Sequence, residues 1–219
     1  MRILGLTDIH GDISGLKKIS KPLSEAGLVL LIGDITNFGR EQEVRKVIDA
    51  LGEAASQILA VSGNCDYIDV AEFLTGENIH IHGKGEVING IGFVGAGGSI
   101  PTPFHTPNKI SENKLKIILE KGFHELPPDV PFILVSHQPP INTTCDIIKT
   151  GVHVGSKSVR RFIENHQPLA CITGHIHEAG GIDKIGNTPV VNPGPFFQGK
   201  YVSLKIGNGI DELMIQSVW

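Results

Sequence analysis

The amino-acid sequence predicts an α/β fold, with mainly parallel strands first and a mostly antiparallel C-terminal part. Short apolar runs alternate with helical patterns as far as residue 173, which is typical of β-α-β units. From Gly180 onward, β-type runs alternate with Gly-Asn turns instead. The 219 residues contain no internal repeat, linker or low-complexity segment, and they suffice for one sizeable hydrophobic core. We therefore expect residues 1–219 to form a single domain.

The first third of the chain contains three predicted strands, each followed by a helix. The strands are the apolar runs Ile3–Leu6, Leu28–Ile32 and Ile58–Val61. The first helix is expected to carry Ile13, Leu16 and Ile19 on its apolar face. The second helix is expected from Glu41 to Glu53, and a short third helix from Ile68 to Leu74.

The middle of the chain is less regular. Short glycine-rich β pieces from Ile79 to Gly98 run into Ser99–Pro107, where prolines and threonines exclude regular structure. Two helices and two strands are then expected to alternate, in the order helix Glu112–Lys121, strand Phe132–Val135, helix Ser156–Asn165 and strand Leu169–Thr173. The serine at the start of the second helix is a plausible N-cap. The C-terminal β runs are Thr188–Val191, Tyr201–Ile206 and Leu213–Val218.

Charge and cysteine usage narrow the class of protein. The net charge of -4 provides no overall basic surface for nucleic acid. Cys65, Cys145 and Cys171 are odd in number and form no C-x-x-C pair, which argues against a disulfide framework and for a reducing compartment. The apolar runs are too short for a signal peptide or a membrane span. We therefore expect a cytoplasmic protein without a membrane partner.

Polar side chains follow five of the predicted strands, at the point where each strand ends. They are Asp8 and His10, Asp34, Asn64, His137, and His175 with His177. In open α/β sheets the ligand crevice lies outside the carboxyl ends of the strands, so these seven side chains can meet there. Glycine precedes Asp34, Asn64 and His175, which would let the backbone pass close to a ligand without a Cβ clash.

Each of these motifs alone has an ordinary structural explanation. A capping aspartate or a hydrogen-bonded core histidine accounts for any single one as well as a ligand does. Their order at successive strand ends favours a common site, because several polar groups converging in one crevice are best explained by a cation. Carboxylate, amide and imidazole donors without a thiolate suit Mn, Fe, Ni, Co or Zn ions. The sequence therefore predicts a metal centre.

The order D-x-H, G-D, G-N-C-D, H and G-H-x-H, from Asp8 to about Asn192, resembles the calcineurin-like metallophosphoesterase superfamily. It is most similar to the small single-domain prokaryotic members. The resemblance implies a four-layer α/β/β/α sandwich, with two β-sheets face to face and helices outside each. It also implies two divalent metal ions, each with three ligands of its own and one shared ligand: Asp8, His10 and His177 for one, Asn64, His137 and His175 for the other, and Asp34 for both.

The implied reaction is hydrolysis of a phosphomonoester or a phosphodiester. Two divalent ions, two aspartates and a shared hydroxide leave such a centre with a net charge of about +1, which attracts a phosphate anion. Paired ions of this kind lower the pKa of the shared water and clamp the phosphoryl oxygens during in-line displacement. The expected partner is a small phosphoester substrate.

Two positions depart from the family pattern. Asn37 stands where many members have the second aspartate of G-D-x-x-D, a residue that is not expected to bind metal. Cys65 stands where many members have a histidine that protonates the leaving group. Because a thiol has a reference pKa of about 8.5, Cys65 is predicted to be a weak catalytic acid. Esters with poor leaving groups are therefore expected to react slowly.

Glycine- and proline-rich loops supply the candidate substrate contacts Gly98, Ser99 and His153. Their segments resemble segments that border the substrate pocket in small family members, and the alternative is that they are ordinary connecting loops. His80 and His82 alternate on a predicted strand and are expected to be exposed.

Two other functions compete with phosphoester hydrolysis by a small enzyme. DNA-repair nucleases of the family share the motifs, but the acidic balance and the lack of a basic stripe argue against a nucleic-acid partner. A non-catalytic scaffold, as in the retromer subunit that resembles this fold, is the other alternative. Scaffold members tend to lose metal-ligating histidines, whereas all the expected ligands are present here. The sequence leaves the natural substrate, the metal and the formation of a homo-oligomer open.

Overall fold

Two β-sheets form the centre of the computed structural model, which describes residues 1–52 and 54–219. The first sheet has five strands in the order β11-β10-β1-β2-β3. These are β1 (Arg2–Leu6), β2 (Leu28–Ile32), β3 (Ile58–Val61), β10 (Lys200–Ile206) and β11 (Ile210–Ser217). Strands β1, β2 and β3 are parallel, whereas β10 is antiparallel to both β1 and β11.

The second sheet has six strands in the order β4-β5-β6-β7-β9-β8. They are β4 (Gly85–Ile88), β5 (Ile91–Ala96), β6 (Phe132–Ser136), β7 (Ala170–Thr173), β8 (Gly181–Ile185) and β9 (Thr188–Asn192). Strands β5, β6, β7 and β9 are parallel, and the two edge strands β4 and β8 are antiparallel to their neighbours. The second sheet therefore has a parallel centre, whereas the parallel strands of the first sheet form one side of it. The C-terminal strands contribute antiparallel pairs as predicted.

In the described ranges, five α-helices lie outside the sheets: α1 (Ser20–Glu25), α2 (Glu41–Gly52), α3 (Ile68–Gly76), α4 (Glu112–His124) and α5 (Lys157–His166). The predicted end of α2 at Glu53 lies outside the described residues. The hydroxyl of Ser156 accepts hydrogen bonds from the backbone N–H groups of Ser158 and Val159, which confirms the predicted serine cap of α5.

The alternation of side chains along the strands explains the layers. Residues such as Ile3 and Leu30 point toward the other sheet and pack with Phe93 and Val135. Their neighbours in sequence, such as Leu4, point outward and pack with the helices that cover the first sheet. A separate apolar cluster joins the second sheet to α4 and α5. Because each central strand buries both of its faces, its sequence is continuously apolar. The predicted four-layer α/β/β/α sandwich is confirmed.

Two local predictions were wrong. Ile13 does not belong to a helix and is 37% exposed, because a turn at Gly11–Ser14 delays the helical segment until Leu16. In that turn the backbone N–H of Ser14 donates to Oδ1 of Asp12 at 2.9 Å. Such bonds compete with helix formation.

His80 and His82 are half-buried instead of exposed, and they form isolated bridges outside the named strands. Their rings stack 5.9 Å apart, and Nδ1 of His82 accepts the backbone N–H of Gly97 at 2.9 Å. Within the described ranges, no helix is both long and apolar enough to cross a membrane.

Candidate metal centre

The seven predicted ligands lie at the carboxyl ends of strands from both sheets. Four of them follow strands β1, β2 and β3 of the first sheet: Asp8, His10, Asp34 and Asn64. The other three follow strands β6 and β7 of the second sheet: His137, His175 and His177. The two sheets meet at this edge, where Nδ1 of His137 lies 2.8 Å from the carbonyl oxygen of Ile32. The structure thus brings all seven to the same end of the sandwich.

Asp8, His10 and His177 form one compact group. One donor atom from each lies within 4.8 Å of the other two. Nε2 of His177 lies 3.2 Å from Oδ1 of Asp8 and 3.4 Å from Nε2 of His10. The second carboxylate oxygen of Asp8 accepts the hydroxyl of Thr7 at 2.6 Å and the backbone N–H of His175 at 3.0 Å. These bonds fix the carboxylate and leave Oδ1 facing the histidines.

Asp34, His137 and His175 form a second group, in which one donor atom from each residue again lies within 4.8 Å of the other two. Nε2 of His137 lies 3.6 Å from Oδ1 of Asp34 and 3.1 Å from Oδ1 of Asn64. The rings of His137 and His175 are tilted against each other, with 5.1 Å between their centroids. The four residues named for the second ion and its bridge are therefore adjacent.

Asp34 lies between the two groups. Its Oδ1 faces His137, while its Oδ2 lies 3.8 Å from Nε2 of His10. Oδ1 also accepts the backbone N–H of Cys65 at 2.7 Å, which holds the carboxylate in this orientation. Each oxygen of Asp34 thus faces a different group of donors, so this carboxylate could contact an ion in either group.

The backbone at this edge is unusual. Asp8, His10, Asp34 and His175 all have positive φ angles, between 46° and 69°. Such left-handed conformations are uncommon for residues other than glycine, and they cluster at functional sites. The glycine at position 63 permits close approach, because a Cβ there would clash with the carboxylate of Asp34. The sequence signal of glycine beside these polar residues therefore has its explanation in the packing of the site.

Among the residues that the structure describes, no lysine or arginine pairs with the carboxylates of the site. Asp8 and Asp34 are 1% and 2% exposed, and in the described part of the chain their ion pairs are with histidines. Burial would lower the pKa of His137, but the charges of Asp34 and Asp8 raise it to about 9. Burial would likewise raise the pKa of Asp34, but the charge of His137 holds it well below its usual range. The opposite pKa shifts of His137 and Asp34 have the same cause, which is the close approach of the imidazole and the carboxylate.

The donor set fits divalent cations. Ligand atoms about 2.1 Å from an ion lie about 3.0–3.4 Å apart in octahedral or tetrahedral geometry. The 3.4 Å between Nε2 of His10 and Nε2 of His177 and the 3.2 Å from His177 to Asp8 match this spacing. The bond from Nδ1 of His137 to a backbone carbonyl leaves Nε2 to face a cation, which is the usual arrangement for a ligating histidine.

Cys65 lies at the edge of this site. Its Sγ approaches donor atoms of His10 and Asp34 within 4.8 Å, and it accepts a hydrogen bond from Nδ2 of Asn64 at 3.3 Å. Burial, together with the charge of Asp34, raises the pKa of the thiol well above its ordinary value. The thiol is therefore protonated at neutral pH and is a poor proton donor.

The predicted substrate contacts lie on two loops beside His137. The side chain of Gln138 joins them, because its Oε1 accepts the backbone N–H of Ile100 at 3.1 Å and its Nε2 donates to the carbonyl of Val154 at 3.2 Å. Ser99 is buried, and its hydroxyl donates to the carbonyl of Ile100. Gly98 has a φ of 76°, which suits a tight turn.

His153 is the most accessible of these candidates, with a side chain that is 35% exposed. Its Nδ1 lies 2.7 Å from Oδ1 of Asp146, a fully buried residue. Asp146 also accepts the backbone N–H groups of Thr143 and Gly155. Asp146 thus fixes both the loop and the orientation of the imidazole.

Sequence reasoning missed several residues that support the site. Asp66 accepts four hydrogen bonds, from the backbone N–H groups of Ile35, Thr36 and Gly63 and from the hydroxyl of Thr36, and it ties the Asp34 loop to the Asn64 loop. The sequence signal for Asp66 was its position as the last residue of the G-N-C-D motif. For Asp146, the Thr-x-x-Asp spacing of a capping box was available as a signal. Phe197 packs on the rings of His10 and His177. Neither Phe197 nor Gln138 was marked by a sequence signal.

The chain is similar to known proteins in sequence and in fold. The calcineurin-like phosphoesterase family model matches residues 1–179. The chain is 42% identical to the uncharacterized protein MJ1162 of Methanocaldococcus jannaschii over 201 residues, which cover 89% of this chain and 88% of that protein. It is 28% identical to the phosphodiesterase YfcE of Escherichia coli over 74 residues, 30% of this chain and 40% of that enzyme.

The fold has a counterpart among solved structures. The crystal structure of TT1561 from Thermus thermophilus aligns with a TM-score of 0.75 at 23% identity, over 100% of this chain and 99% of that one. The match of the family model, together with the identity to the Methanocaldococcus protein, is decisive for the family. The chain belongs to the calcineurin-like phosphoesterase family.

Proposed function

We propose that this protein hydrolyses small phosphoesters, either phosphodiesters or phosphomonoesters, at a centre that holds two divalent metal ions. The observation that carries the proposal is the position of Asp34, whose two oxygens face His137 on one side and His10 on the other. A single carboxylate between two groups of histidines is the arrangement expected for a bridge between two ions. The phosphodiesterase YfcE, which matches over part of this chain, supports a phosphodiester as the substrate.

Each ion has its own proposed ligands. Asp8, His10 and His177 would hold one, and Asn64, His137 and His175 would hold the other, with Asp34 shared. When bound, two such ions lower the pKa of a water molecule and offset the negative charge of the phosphoryl oxygens. The oxygen and nitrogen donors favour Mn, Fe, Ni, Co or Zn.

The residues around the donors have their own roles in this proposal. Thr7 and the backbone of His175 hold the carboxylate of Asp8, and Cys65 N–H holds that of Asp34, so that the donors do not have to reorganise when substrate binds. His153, held by Asp146, would contact the substrate from the rim, while Gly98 and Ser99 would shape the adjacent wall. The high pKa of Cys65 leaves the leaving group without a strong acid at that position.

Other features support a single-domain cytoplasmic enzyme. The inter-sheet apolar cluster combines residues from the start, middle and end of the chain, as a domain spanning residues 1–219 would require. The cysteines at positions 65, 145 and 171 are free, in keeping with a reducing compartment. Retention of all seven donors argues against the non-catalytic scaffold, and the net charge of -4 argues against a nuclease.

The experiment that tests the proposal is activity profiling of metal-free and Mn²⁺-loaded protein against mono-, di- and cyclic phosphoesters. Chelated protein should be inactive and should recover with Mn²⁺ or a similar ion. Asp34→Asn should be inactive under all conditions. Asp129→Asn is a matched control, because Asp129 also has a positive φ, of 62°, but lies just before the amino end of β6. Full activity of rigorously metal-free protein would refute the mechanism.

A further inference from the structure

Phe197 contacts two of the proposed metal-binding histidines at once. Its ring centroid lies 5.6 Å from that of His10 and 5.4 Å from that of His177, with interplanar angles of 68° and 72°. The rings of His10 and His177 are themselves 5.3 Å apart at 75°. The three rings therefore pack edge to face on one another, the arrangement that aromatic quadrupoles favour.

His10 lacks the hydrogen bond that usually orients a ligating histidine. Its Nδ1 is buried and has no hydrogen-bond partner among the residues that the structure describes. In His137, by contrast, Nδ1 lies 2.8 Å from the carbonyl oxygen of Ile32. A bond of that kind normally fixes the ring so that Nε2 points at the metal. Packing therefore has to supply, on the Nδ1 side of the His10 ring, the constraint that a hydrogen bond supplies for His137.

The backbone places Phe197 where it can supply that packing. The preceding residue, Phe196, is 1% exposed, and its N–H donates to the carbonyl of Thr7 at 2.8 Å. The N–H of Phe197 lies 3.4 Å from the carbonyl of Asp8. The aromatic ring is thus anchored to the same strand end that carries Asp8 and His10.

We propose that Phe197 is a positioning residue that holds the rings of His10 and His177, and thereby sets the affinity of the Asp8–His10–His177 group for its metal ion. This inference rests on the proposed metal centre. Loss of a partner that orients a metal ligand typically weakens metal binding about 10- to 100-fold. Because the edge-to-face contacts of Phe197 are with His10 and His177, the effect should be confined to one of the two ions.

The test measures Mn²⁺ affinity by competition with a chromophoric chelator, in two backgrounds that each retain one ion. His137→Ala should retain the Asp8–His10–His177 group, and His177→Ala should retain the other. Phe197→Leu is expected to weaken the remaining ion about tenfold in the first background and to leave it unchanged in the second. Phe197→Tyr keeps the ring and should bind Mn²⁺ as the parent does.

Phe123→Leu is the matched control, because Phe123 also packs on a histidine, His166, with ring centroids 4.1 Å apart, but lies on α4 away from the site. It should leave both affinities unchanged. Equal Mn²⁺ affinity of Phe197→Leu and its parent in the first background would overturn the inference, as would an equal loss in both backgrounds. If the unmutated protein binds no Mn²⁺, the metal centre itself is wrong, whereas normal binding that is insensitive to Phe197 contradicts only the positioning role.

Discussion

The Nε2 atoms of His10 and His177 lie 3.4 Å apart, although 167 positions separate the two residues in the sequence. Oδ1 of Asp8 lies 3.2 Å from the second of these nitrogens. Because two bare lone pairs at this distance would repel, either one nitrogen donates a proton to the other or a cation lies between them. The two nitrogens are thus close enough to bind the same metal ion.

Metal binding should stabilise the fold. At a free Mn²⁺ concentration of about 100 times Kd, each ion bound to the native state adds about 2.7 kcal/mol to the free energy of unfolding. For a chain of this size, that corresponds to a rise in Tm of about 5–10 °C for each ion. Differential scanning calorimetry with and without Mn²⁺ measures it. His124→Ala is the control, because His124 is exposed and its Nδ1 contacts the carbonyl oxygen of Glu120 in its own helix. This variant should show the same rise in Tm on addition of Mn²⁺ as the unmutated protein. An unchanged Tm in the unmutated protein would contradict the prediction.

Asp34→Asn should lower metal occupancy at both positions. The change removes a negative charge from a carboxylate whose oxygens face both groups of donors. His137→Ala should mainly empty one position, because His137 faces only one group. Elemental analysis after dialysis measures bound metal per chain. Two metals bound per chain in Asp34→Asn would refute the bridging role.

Cys65 should make the rate depend steeply on the leaving group. A positioned general acid contributes about 10²–10⁴-fold, and the protonated thiol of Cys65 is a poor one. A nitrophenolate leaves without a proton, whereas an alkoxide needs one in the transition state. We therefore expect much faster hydrolysis of aryl than of alkyl phosphodiesters, and Cys65→His should narrow that gap. If Cys65→Ala instead slows alkyl substrates by about a hundredfold with metal still bound, the thiol is an important catalytic group.

His153→Ala should raise KM for the substrate more than it lowers kcat. The histidine is held by Asp146 and is proposed to contact the substrate. A hydrogen bond to a charged group contributes about 1.5–3 kcal/mol, which corresponds to about 10- to 100-fold in KM. Steady-state kinetics with an aryl phosphodiester separates the two parameters. Metal content should stay the same, and His124→Ala is again the control. An unchanged KM would show that the loop is only a connection.

The half-buried His82 should make the protein less stable in mild acid. Burial, aided by the charge of Lys114, lowers the pKa of His82 from 6.5 to about 4. Between these values the unfolded chain binds the proton and the folded protein does not, so the free energy of unfolding falls as the pH falls. By pH 5 the loss from this residue is about 2 kcal/mol.

His82→Asn offers a matched comparison, because the amide oxygen can accept the Gly97 N–H without titrating. Urea unfolding at pH 7 and pH 5, with a chelator present in both samples, measures the difference. The unmutated protein should lose about 2 kcal/mol more than the variant. Equal losses would show that the histidine is not held neutral.

The sequence by itself determined which residues stand at the strand ends. Apolar runs such as Leu28–Ile32 stop where a polar residue begins, and this local signal located Asp34 and the other proposed ligands correctly at the carboxyl edge. The same local reasoning failed at Ile13, because an aspartate-based turn replaced the start of the helix. It also failed at His80 and His82, whose burial depends on their packing against each other and Gly97.

Only the tertiary structure decided how the donors face one another. That Asp34 points one oxygen at His10 and the other at His137 depends on the packing of two sheets whose strands are distant in sequence. The contacts of Phe197 with His10 and His177 arise in the same way, from a loop nearly two hundred residues away from β1. Local patterns report which side chains reach an edge, whereas distances between them depend on long-range packing that no short stretch of sequence contains.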